Sequence, residues 1–241
     1  MSSGIANSRL WPWVFSPLVL LATLCVLRPL EARLLPGPAS PAAALAGSGE
    51  TIAVLGGLRT VVAGGLWLRT NLAWERRDEV ETTTMLQLTV AADDRPLTFW
   101  LNGARMIAYD FPTWRSEGAP AAVGERNRRE QAQAALSYLE RGLQVRGPAA
   151  KIVVEMANIR LRALRDREGA ARLFRQAAEL PGAPYYAARI HAELLRELGR
   201  PAEALAWLKQ IQPGLPENEP AAQRAVVLAR IKGLEQEVAG K

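Results

Sequence analysis

The chain has 241 residues, with 30 Lys and Arg against 24 Asp and Glu and a formal net charge of +6. Its single cysteine, Cys25, and single histidine, His191, exclude an intrachain disulfide, a cysteine-built zinc site and a multi-histidine metal centre. The positive excess comes from arginines scattered among glutamates, which suits attraction to acidic surfaces such as anionic lipid without pointing to nucleic acid.

Residues 1–10 read as a short tail. Trp11 to Leu27 is almost entirely apolar, with Ser16 and Thr23 as its polar side chains. With its flanks this run reaches the roughly 20 residues that a helix needs to cross a bilayer. Trp11 and Trp13 stand where an interfacial aromatic belt would, and Arg28 closes the far side. The expectation is an uncleaved membrane anchor over 11–28. A cleaved signal peptide is the rival, although its candidate triplet Ala44-Leu45-Ala46 lies far beyond the apolar run. Arg9 and the amino terminus oppose Arg28 and Arg33, so charge alone does not orient the anchor. Residues 29–50, rich in Pro, Ala and Gly, read as a linker holding the rest off the membrane.

A folded domain is expected over 51–238. Alanine, leucine and arginine dominate and β-branched runs are few, which favours an all-α fold. Thr51 to Leu72 is apolar apart from Arg59 and Arg69. As a second transmembrane helix it would bury Arg59 near the bilayer centre, at a cost of about 2.5–3.5 kcal/mol. A buried first helix of the domain is the less costly reading. Glu79 to Ala92 should form a helix with Val80, Met85 and Leu88 inward, stopped by Asp93-Asp94-Arg95-Pro96. Leu97 to Tyr109 reads as an aromatic-rich helix. Pro112 to Gly124, with two prolines and two glycines, reads as a long loop. Arg126 to Val145 resumes as a charged helix with Ala135, Leu139 and Leu143 on its inner stripe.

Between Pro148 and Pro213 one helical hairpin occurs twice. Leu161 matches Leu195, Leu164 matches Leu198, Ala170 matches Ala204 and Phe174 matches Leu208, each pair 34 residues apart. The helices are expected over 149–165, 168–180, 185–198 and 202–212, from apolar residues at three-and-four spacing. Gly199 suits a left-handed C-terminal cap and Pro201 a helix start. Glu219 to Val238 reads as an amphipathic last helix covering the open end of the stack.

The segment Leu198-Gly199-Arg200-Pro201-Ala202-Glu203-Ala204-Leu205 resembles the inter-helix turn and second-helix start of the tetratricopeptide-repeat family. That family's second-helix alanine falls on Ala170 and Ala204, and its large apolar residue on Phe174 and Leu208. Asn158 and Ala192 stand where the family has a glycine, so the units are degenerate. Further upstream, Gly56-Gly57, Arg59 and Leu66-Trp67-Leu68-Arg69, then Phe99-Trp100-Leu101-Asn102-Gly103-Ala104, resemble membrane-anchored bacterial tetratricopeptide proteins. The resemblance implies a right-handed α-solenoid of helical hairpins, clearest at 148–181 and 182–215, and brings no activity with it.

In this family the first helix of each unit lines a groove. The resemblance therefore implies that Ile152, Glu155, Ile159 and Arg162, then Tyr186, Arg189, Glu193 and Arg196, face a protein or peptide partner. Two alternatives stand beside that reading: the fold is an unrelated antiparallel helical bundle, or these are ordinary exposed helix residues. No catalytic constellation emerges. His191 falls between Ala188 and Leu195 on an inner stripe and reads as a hydrogen-bonded packing residue. The cluster Arg160, Arg162, Arg165 and Arg167 spreads around a helix and reads as a solvated face with carboxylate partners. The expectation is a non-enzymatic, membrane-tethered helical-repeat scaffold, with no cofactor, metal, nucleic acid or small-molecule substrate. It would sit in a bacterial inner membrane as a single-pass protein with its large domain exported. The alternative is a binder of anionic lipid or nucleic acid acting through arginine-rich helix faces.

Overall fold

The structure, a computed structural model, describes residues 49–240, with side chains from residue 57. The expected tail and anchor, and all but the end of the linker, lie outside the described residues. The chain packs as two units, Met1–Gly65 and Leu66–Lys241. Ten α-helices and no strand occur among the described residues. None of those helices is long and apolar enough to cross a membrane.

Helix α1 spans Gly49–Glu75. Within the second unit its Thr70 and Ala73 are fully buried, and Trp67 and Trp74 lean on the core. Leu68 and Leu72 are exposed on the other side, so the expected burial holds for one face only. Helix α2, Glu79–Ala92, starts at Asp78, whose carboxylate accepts from the Glu81 N–H at 2.9 Å. Its inward stripe is Thr82, Leu86 and Thr89, while Val80 is 79% exposed. The expected register was therefore rotated. A buried threonine hydroxyl costs little when it donates to the carbonyl one turn back, as Thr82 does to Asp78 at 2.6 Å and Thr89 to Met85 at 2.7 Å.

The first full hairpin pairs α3, Leu97–Arg105, with a long helix α5, Ala121–Arg146. It closes by aromatic rings seated on glycines. A Cβ on Gly142 would meet Trp100 at 3.0 Å, and one on Gly103 would meet the Tyr138 hydroxyl at 2.9 Å. The two rings lie 4.9 Å apart, and each donates to a backbone carbonyl, Trp100 to Asp94 and Tyr138 to Phe99. The expected loop at 112–124 is mostly helical. α3 passes through a π-helical turn, Met106–Asp110, into α4, Phe111–Ser116, and α5 begins at Ala121. Pro112 has no N–H and its ring would clash with the carbonyl of Ala108 in a regular helix; the wider π turn leading into it relieves both problems.

The next hairpin is α6, Ala150–Arg162, with α7, Arg167–Ala178, and the third is α8, Tyr185–Glu197, with α9, Pro201–Ile211. Successive helices from α6 to α9 pack against one another across short connections, which makes them consecutive antiparallel pairs. The matched positions are equivalent in space: Ala170 and Ala204 are fully buried, as are Phe174 and, within 1%, Leu208. Asp166 caps α7 through the Gly169 N–H at 2.7 Å, and Gly199 ends α8 at a φ of 77°. Helix α10, Arg224–Ala239, closes the stack by seating Val227, Ile231 and Leu234 in the core formed with α8 and α9.

Candidate partner-binding face

Helices α6 and α8 carry all eight residues expected to line a groove, and the structure treats the two helices differently. α6 is covered on two sides. Ile152, Met156 and Ile159 join the core of the first hairpin, while Val153, Val154 and Ala157 face α7 and α8. Ile152 and Ile159 are fully buried, so their expected place in an open groove is corrected. The cause is packing of both α3 and α5 on α6, which closes the upstream apolar positions in one core with Trp100, Ala104 and Leu139.

Glu155 is also 4% exposed, yet it is charged and must be matched. Arg105 on α3 supplies both bonds of a fork, from Nε at 3.1 Å and Nη2 at 2.8 Å. The Tyr109 hydroxyl lies beside this pair, buried and without a hydrogen-bond partner. Burial and then the Glu155 charge push that phenol above its usual range, while Arg162 and Arg105 oppose the shift. Arg162 is exposed and makes no ion pair among the described residues.

On α8 the core takes Ala187 and Leu194 on one side and Ala188, Ala192 and Leu195 on the other. A polar strip remains: Tyr186, 44% exposed, then Arg189, Glu193 and Arg196, all partly buried. Glu193 accepts from Arg196 at 2.6 Å and pairs with Arg230 of α10 at 2.7 Å. The Arg196 hydrogen bond, with the charges of Arg230 and Arg196, holds that carboxyl below its ordinary value. Arg189 meets no carboxylate among the described residues. It donates to the Ala222 carbonyl at 3.2 Å, and burial lowers its pKa.

A second polar surface lies where α7 and α9 meet α8. There a cavity of about 290 Å³ is lined by Glu168, Arg172 and Arg175 of α7, His191 of α8, and Arg200, Glu203 and Trp207 of α9. His191 Nδ1 is 2.8 Å from the Ala171 carbonyl, which can only accept, so Nδ1 carries the proton. The imidazole edge meets the Trp207 ring at 5.0 Å, and burial pushes its pKa down. This is the packing histidine expected from its position. Trp207 donates to Ala188 at 3.0 Å and lies under the Arg175 guanidinium. Arg175 pairs with Glu179 at 3.0 Å; Arg200 forks Glu203 and reaches Glu168 at 3.0 Å. In the arginine cluster, Arg160 pairs with Asp166 and Arg167 with Glu197, whereas Arg162 and Arg165 have no carboxylate partner among the described residues.

No protein-family model matches the chain, and no curated protein matches it. Among solved structures, PilW, a widely conserved type IV pilus biogenesis factor, is similar over 73% of this chain and 90% of its own, at 13% identity and a TM-score of 0.33. A score that low carries no argument about role.

Proposed function

We propose that the chain is a membrane-tethered scaffold of tetratricopeptide-like repeats, forming a right-handed solenoid, that recruits a protein or peptide partner in a bacterial membrane or envelope assembly. The observation that carries the binding half is the strip on α8. Consecutive hairpins bury α8 on both flanks and leave Tyr186 exposed among Arg189, Glu193 and Arg196. An aromatic with two rotatable angles among charged neighbours is the composition of a surface that binds side chains. The tether rests on the apolar run of residues 11–28, and the exported placement on the likeness to membrane-anchored proteins.

Two measurements test the halves separately. The full chain should fractionate with membranes and become soluble when residues 11–28 are deleted; a full chain recovered in the soluble fraction removes the tether. Crosslinking in intact cells followed by pull-down should recover a partner that is lost with Tyr186→Ala plus Arg189→Glu. An unchanged pull-down from that variant removes the binding face.

A further inference from the structure

We infer that the segment bound along α6 and α8 is an acidic stretch of a protein partner, its carboxylates meeting Arg162 and Arg189 near the exposed Tyr186. The inference rests on the scaffold reading above and deepens it. What carries it is the contrast in how the two faces treat their arginines. Across the α7–α9 cavity, Arg172, Arg175 and Arg200 each have a carboxylate within 3.9 Å, supplied by Glu168, Glu179 or Glu203. On the α6–α8 face, Glu155 answers Arg105, and Glu193 is shared between Arg196 and Arg230. Glu197 and Glu237 add only a field at Arg196. Among the described residues no carboxylate pairs with Arg162 or Arg189.

Arg189 is the more telling of the two. A guanidinium drawn out of water is costly unless a counter-charge replaces the lost hydration. Arg189 is partly buried and has only a neutral carbonyl as partner. A carboxylate from outside would supply the missing charge through charge-assisted hydrogen bonds. Arg105 lies within electrostatic reach of Tyr109 and Tyr186, and Tyr109 within reach of Arg162. Arg189, one turn along α8 from Tyr186, is set back beside the Pro220–Ala222 turn. A thin chain reaches such a place, and a flat bilayer does not.

The test uses the full chain in detergent and a labelled twelve-residue peptide of Asp and Glu around one Phe, with Lys-rich and Ser/Gly peptides of equal length as comparators. The acidic peptide should bind best, weaken as salt rises, and lose about tenfold for each of Arg162→Gln and Arg189→Gln, the size of one charge-assisted bond. Arg172→Gln with Arg175→Gln, at the α7–α9 cavity, should leave it unchanged. Equal binding of the three peptides, or indifference to Arg162→Gln plus Arg189→Gln, overturns the inference. So does preferential capture of phosphatidylglycerol vesicles or a single-stranded oligonucleotide through those two arginines. A cellular pull-down lost with Tyr186→Ala but untouched by Arg162→Gln plus Arg189→Gln keeps the scaffold and rejects the acidic partner. A pull-down indifferent to both variants rejects the scaffold itself.

Discussion

The two faces of the repeat stack use the same residue types to opposite ends. On the α7–α9 side, aromatic and basic groups are saturated internally: Trp207 is held by Ala188, His191 and Arg175, and the arginines by their glutamates. On the α6–α8 side, Tyr186 is open, and two guanidiniums lack counter-charges among the described residues. A cavity lined by arginines is therefore no sign of a binding site when its charges already cancel. The informative residue is the cation that the fold leaves unmatched.

That contrast can be broken by changes that move stability on one face and recognition on the other. The largest effect is expected from Trp207→Ala, which removes a nearly buried ring and should cost about 3–5 kcal/mol in chemical denaturation. Binding by the molecules that stay folded should persist. Glu155→Ala comes next. It leaves Arg105 without its fork, and because that arginine is half exposed the expected loss is about 1–2 kcal/mol. Gly169→Ala should reverse the usual benefit of alanine in a helix. The added Cβ would collide with the Asp166 carboxylate, displacing the cap at a cost of about 1 kcal/mol, seen as a lower denaturation midpoint.

The pH response of His191 is smaller. Its folded pKa lies below the ordinary 6.5, so below that pH the unfolded chain takes up a proton that the folded chain resists. Stability should be full above about pH 6.5 and decline toward pH 5, by no more than about 1.4 kcal/mol per pH unit. His191→Gln should flatten the slope in thermal melts across that range. Smallest of all, Arg162→Gln should change stability by less than about 0.5 kcal/mol, while binding on its face changes.

The sequence made the later helices readable because their apolar residues are continuous, their turns carry Gly and Pro, and one 34-residue spacing ties them together. α6 to α9 fall within a few residues of their expected limits, and α10 closes the stack as anticipated. Three features were hidden for distinct physical reasons. Thr82 and Thr89 were left off the inward stripe given to Val80, Met85 and Leu88, yet they are core residues because their hydroxyls are satisfied within their own helix. Pro112 read as a loop because the π turn that accommodates it has no local sequence signature.

Ile152 and Ile159 were assigned to the groove by the repeat register, which does not know that α3 covers α6. Their counterparts one repeat on are Tyr186 and Glu193, and that apolar-to-polar change was the available signal. The candidate site was thus half legible. Tyr186, Arg189, Glu193 and Arg196 of α8 do keep solvent exposure, whereas Arg105 and Tyr109, more than 40 residues upstream of Glu155 and Arg162, could join them only through the fold.

The most direct measurement places a photo-crosslinking residue in the full chain in intact cells, at Tyr186 in one experiment and at Arg172 in another. A partner caught from position 186 and not from position 172 is the predicted result. Equal capture from both positions, or capture from position 172 alone, would contradict the assignment of α6 and α8 as the working face.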